Sequence, residues 1–144
     1  MRTWLCAAGL LLAGGAAVGG DAKDDIAKLQ GTWTNEAQGK RHEMKFTKDQ
    51  FTLRFADGQK KASVTGTFKI DASKKPKHID MSITEADGLA ERFKGMTAHA
   101  IYDLDGDTFK WCASQPGKDE RPSAFPAEEG EAKEHLYLVF RRAK

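Results

Sequence analysis

Disulfides are the first thing this chain cannot rely on, because only two of its 144 residues are cysteine. One of them, Cys6, lies in an apolar N-terminal stretch, so Cys112 is the only thiol left if that stretch is removed. An exported protein with a single cysteine has no internal bridge, and a packed core must hold it together. Also missing is an excess of one charge. The 23 Lys and Arg against 21 Asp and Glu give a net charge of +2 at pH 7. Both signs are interspersed, which excludes the footprint of a nucleic-acid or membrane-surface binder. Beyond the N-terminus no long apolar run offers a membrane span. No helical pattern is long enough to cross over a parallel sheet.

What is present begins with the N-terminus itself. Arg2 supplies a positive charge, Leu5 to Val18 is rich in Leu, Ala and Gly, and Val18-Gly19-Gly20 offers small residues to a signal peptidase. Its glycines leave the stretch too weakly apolar for a transmembrane helix. The expectation is a signal peptide over residues 1–20, cleavage near Gly20–Asp21, and export to the periplasm or beyond. Cys6 precedes most of the apolar stretch instead of following it, which argues against lipidation. Residues 21–144 then form one domain with a sizeable core.

Asp24 and Asp25 before Ile26 and Leu29, with Gly31 after them, predict one short helix. From Thr32 onward the apolar period becomes two. His42, Met44 and Phe46 alternate with Glu43 and Lys45, and Phe51, Leu53 and Phe55 with Thr52 and Arg54. Val64, Phe68 and Ile70 follow the same rule, as do Ile79, Met81 and Ile83. Met96-Ala98-Ala100-Tyr102, Phe109-Trp111-Ala113 and Leu136-Leu138-Phe140 complete the series. Asp57-Gly58, Asp87-Gly88 and Asp105-Gly106 are hairpin signals. With the Trp33 segment this predicts eight strands joined by short links. The exception is Gln115 to Lys133, rich in Pro, Gly and Glu, which reads as a long exposed loop. The fold class is all-β: an eight-stranded antiparallel up-and-down barrel behind a short N-terminal helix, closed so that no edge remains.

Gly31-Thr32-Trp33 opens the first strand and Arg141-Arg142 ends the last. An indole at the base of a barrel can be covered by a guanidinium laid flat on it. If Leu136, Leu138 and Phe140 face inward, Arg142 shares their side and Arg141 faces solvent, which makes Arg142 the partner of Trp33. Gly31-x-Trp33 on a first strand resembles the lipocalin-type signature. Longer stretches resemble one family more closely: Lys28-Leu29-Gln30-Gly31-Thr32-Trp33, Asp71 through Asp80, Tyr102 through Cys112, and Glu120-Arg121-Pro122-Ser123-Ala124-Phe125. Together they are similar to a lipocalin-like family of exported proteins known mainly from planctomycete bacteria. The resemblance implies the barrel fold and the export route, and no particular activity. A long helix after the last strand and the usual disulfides of full lipocalins are lacking.

Several motifs compete with plainer readings. Asp103-x-Asp105-Gly106-Asp107 starts like a calcium loop, but an EF-hand needs flanking helices and a Glu at position twelve, where Ser114 stands. A hairpin turn fits better, and no metal is expected. Asp71 to Lys77, with Pro76 and three lysines, attracts an anion or simply forms a solvated connection. His42, His78, His99 and His135 have no ligand spacing. Haem on His99 is opposed by its parity, opposite to Ala98 and Ala100, so no cofactor is expected. Cys112, inside an apolar strand, reads as a buried, inert side chain. Nothing pairs a nucleophile with a base, which argues against an enzyme.

Two functional readings remain. In the first, the barrel is a binding module for a small apolar or amphipathic molecule. Phe46, Phe55, Phe68, Tyr102, Phe109, Trp111 and Phe140 fill much of the interior, while Gly95, Ala98 and Ala100 leave one wall thin. The expected pocket wall is Phe68, Met96, Ala98, Ala100, Tyr102, Phe109 and Trp111, with Gly31, Trp33 and Arg142 closing the base. In the second, a filled barrel is an interaction or structural protein of the cell envelope, recognising partners through residues 71–77 and 115–133.

Overall fold

The computed structural model describes residues 22–37, 39–132 and 135–143. The signal expected over residues 1–20 lies outside them. Helix α1 covers residues 22–29. The strands are β1 (Gly31–Ala37), β2 (Lys40–Thr47), β3 (Gln50–Asp57), β4 (Lys60–Asp71), β5 (Lys77–Gly88), β6 (Thr97–Asp105), β7 (Thr108–Ser114), β8 (Gly130–Ala132) and β9 (His135–Arg142). Every neighbour in the order β1-β2-β3-β4-β5-β6-β7-β9 is antiparallel, and β9 returns to β1, so eight strands close a barrel.

Alternation explains why these segments pair as they do. Inward positions carry Trp33, Met44, Phe46, Phe68, Ile79, Met81, Tyr102, Phe109, Trp111 and Phe140, which form one continuous core. A register slip of one residue would put that set into water. The closing seam is short. Trp33 pairs with Arg142 and Thr34 with Arg141, after which β1 and β9 diverge. There the Glu129 carboxylate accepts the Val139 N–H at 2.7 Å and the Asn35 amide at 2.7 Å, while that amide also donates to the Val139 carbonyl at 2.8 Å. β8 pairs with the beginning of β9 beside this opening.

Two local expectations need correction. Asp87-Gly88 is not a tight hairpin, because β5 runs through Gly88 and a longer link containing a 3-10 turn, Glu91–Phe93, leads to β6. Gly88 has φ +67°, and a Cβ there would lie 2.3 Å from the Lys61 carbonyl oxygen, so close approach to β4 is what requires glycine. Residues 115–133 are not exposed throughout: Pro122 is buried and Arg121 and Phe125 are half-buried. The physical reason lies on the outer face of β6, β7 and β9. Ile101, Cys112 and Tyr137 project there as a second apolar cluster, and Phe125 packs against it. The chain from 115 to 129 thus acts as a strap. Asp25, within α1, is buried.

Candidate functional site

At the base of the barrel the expected closure is in place. The Arg142 guanidinium lies 4.2 Å above the Trp33 ring, and Trp33 is fully buried. Arg142 donates to the carbonyls of Gln30 at 3.0 Å and Lys28 at 2.6 Å, so the cation also caps the end of α1. The Trp33 indole N–H donates to the Leu29 carbonyl at 2.9 Å. Gly31 takes φ +111°, and a Cβ there would meet the Arg142 guanidinium at 3.4 Å. Asp107, in the turn after β6, reaches Arg142 Nε at 3.3 Å. Arg141 points outward to Thr108 at 3.2 Å.

The expected pocket wall divides. Phe68, Ala98, Ala100, Phe109 and Trp111 are inward and buried in the core. Phe109 stacks on Phe140, with centroids 5.8 Å apart, and tilts against Trp33 at 5.5 Å. Met96 precedes β6 and is 39 % exposed, so it stands outside this wall. Tyr102 is also inward, but its hydroxyl has structural work: it donates to Asp25 at 2.7 Å. Lys77 Nζ meets the same carboxylate oxygen at 2.9 Å. These contacts, two of the three residues buried and Lys77 partly exposed, tie α1 to the barrel, and burial together with Asp25 pushes the Tyr102 phenol far above its ordinary range. Inside the core, the Trp111 indole N–H is buried and has no hydrogen-bond partner among the described residues.

The outer face carries the denser chemistry. His99 on β6 lies opposite Asp80 on β5, with Nδ1 2.9 Å from Asp80 Oδ1. Arg121, reaching in from the strap, donates to Asp80 at 2.5 Å and to the Ala100 carbonyl at 2.8 Å. Partial burial works to raise the Asp80 pKa, but the hydrogen bonds from His99 and Arg121 outweigh it and hold the carboxyl below its usual value. His78 is lowered by burial and by the nearby Arg121 charge. Burial alone pushes the Cys112 thiol up, which keeps it protonated under the strap.

Among the described residues, two clefts stand out on the outside. One, of about 350 Å3, lies over β2 to β5 between Arg41, Arg54, Lys61 and Asp87. Glu43 is shared there between Arg41 and Arg54 at 3.6 Å each. The other, of about 400 Å3, lies where the basic turn meets the strap. Ala72, Lys74, Lys75, Pro76 and Lys77 line it from the turn and the start of β5, Phe125 from the strap, and Tyr102 and Asp103 from β6. Phe125 is held by the Tyr137 ring at a centroid distance of 5.5 Å. The turn is held by Asp71, which accepts from the Ser73 N–H at 3.0 Å and the Ser73 hydroxyl at 2.5 Å. Those bonds hold the Asp71 carboxyl below its ordinary range.

Sequence reasoning flagged the turn and the strap separately and missed that they meet. It also missed Asp25, whose one signal was its place four residues before Leu29, on the same helical face. His42 is inward on β2 with its ring 4.8 Å from Phe55, and Asp105-Gly106 forms the hairpin between β6 and β7. Among the described residues no cluster of three His, Cys, Asp or Glu is placed to hold a metal ion, and no helix is long and apolar enough to cross a membrane. No family model, curated protein or solved structure matches the chain.

Proposed function

We propose that this is an exported binding module in which a filled barrel is the scaffold and the cleft between residues 71–77 and the strap is the recognition site. The observation that carries this reading is the convergence of two separate segments, far apart in sequence, on one cleft of about 400 Å3. That volume falls within the roughly 300–1,000 Å3 of small-molecule sites. Export and kinship with the planctomycete lipocalin-like family belong to the same proposal, resting on the N-terminal pattern and the motifs. A protonated, covered Cys112 and carboxylates tied up in ion pairs suit a binder more than a catalyst.

One observation favours the first alternative, a small ligand inside the barrel: the unpartnered Trp111 indole N–H would welcome an acceptor. Amide chemical-shift mapping with a mixed set of neutral and charged fragments separates the two. The outer-cleft reading expects shifts clustered at residues 72–77, 102–103 and 125. Shifts clustered at Ala98, Ala100, Trp111 and Ala113 would contradict it.

A further inference from the structure

The class of ligand can be read from the cleft, given the reading that the cleft is the recognition site. Its lining carries three lysines and one acid, Asp103. Lys77 is already matched by Asp25 at 2.9 Å. Lys74 and Lys75 are exposed, and neither forms an ion pair with a described residue. Lys74 and Lys75, the former near enough to Asp71 to help lower that carboxyl's pKa, face the one lining carboxylate and leave the lining itself a single positive charge in excess. Ala72, Pro76 and Phe125 supply the apolar part of the lining. Asp71 and the Ser73 bonds hold the start of the lysine-bearing turn, and Tyr137 packs on Phe125, so the turn backbone and the aromatic wall are ordered before anything binds.

We propose that the cleft binds an apolar carboxylate, a single anionic group on a flat or compact hydrophobic body. The carboxylate sits between the Lys74 and Lys75 ammonium groups, and the body lies against Phe125 and Pro76. A polyanion would exceed the available charge and meet Asp103. A neutral apolar molecule would leave the excess positive charge unmatched, and a bare anion would leave the aromatic side of the cleft wet.

The test compares 1-naphthoate, 1-naphthalenemethanol and acetate on the same protein by amide chemical-shift titration. Naphthoate is expected to saturate shifts at residues 74–77, 103 and 125. The alcohol and acetate are each expected to bind about tenfold more weakly or worse, because each lacks one half of the match. Lys74→Gln combined with Lys75→Gln should bring naphthoate down to the level of the alcohol, and Phe125→Ala should bring it down toward acetate. Both lysines are exposed, so an amide spectrum otherwise unchanged will show that the double variant folds. Equal binding of naphthoate and the alcohol, or no effect of the lysine changes, overturns the ligand class. If naphthoate leaves the cleft untouched while other fragments shift it, only the class falls. If naphthoate shifts Ala98, Ala100 and Ala113 instead, the outer-cleft reading falls with it.

Discussion

Arg142 does two things at once: it lies on Trp33 and closes the carbonyl end of α1. Arg142→Ala should therefore cost about 2–3 kcal/mol, combining a cation–π contact with charge-assisted hydrogen bonds. Arg141→Ala, which loses one exposed contact to Thr108, should stay within about 0.5 kcal/mol. Urea unfolding of the two variants checks this, and equal losses would refute the assignment of Arg142. Trp33→Ala should cost roughly 3–5 kcal/mol as a large-to-small core change. The second test concerns Tyr102. Tyr102→Phe keeps the ring but strips a hydrogen bond from the buried Asp25 carboxylate, which should cost about 1–3 kcal/mol. An unchanged melting temperature would show that the hydroxyl does not tie α1 down. Arg142 was legible because strand parity is a strict rule. Asp25 was not, because a carboxylate reads as solvated until its partners arrive from residues 77 and 102, far along the chain.

The strap is the element whose character depends on tertiary contact. Its composition gives Pro, Gly and Glu, all of which read as exposed connection. What holds it is an apolar patch on the outer face of three strands and an arginine that reaches β5 and β6. Phe125→Ala should loosen this cover and make Cys112 accessible. Alkylation followed by peptide mass spectrometry should find Cys112 labelled faster in the variant than in the native protein, and equal rates would mean that Phe125 does not shield it. Acid should act on the other anchor. The folded-state pKa of Asp80 is lowered, so its contribution to stability is complete above the ordinary carboxylate pKa of about 4 and is lost as pH falls through the lower folded value. The stability difference between the native protein and Asp80→Asn should accordingly shrink on acidification below about pH 4. A difference independent of pH would remove Asp80 from the anchoring role.

At the scale of the whole molecule, eight strands, their order and their inward faces were legible because a period of two survives any tertiary arrangement. The cleft was not, since it exists only where the turn between β4 and β5 comes to lie beside the strap that follows β7. The thin wall expected at Ala98 and Ala100 is real in sequence, yet both side chains are buried in one core with Trp111 and Phe140. Those side chains share one core, and the proposed recognition site lies outside the barrel. The stability of Ala98→Leu, measured by urea unfolding, tests this most directly. A filled interior predicts a loss of about 1–3 kcal/mol from overpacking, whereas a gain in stability would reveal a cavity waiting to be filled and return the binding site to the barrel.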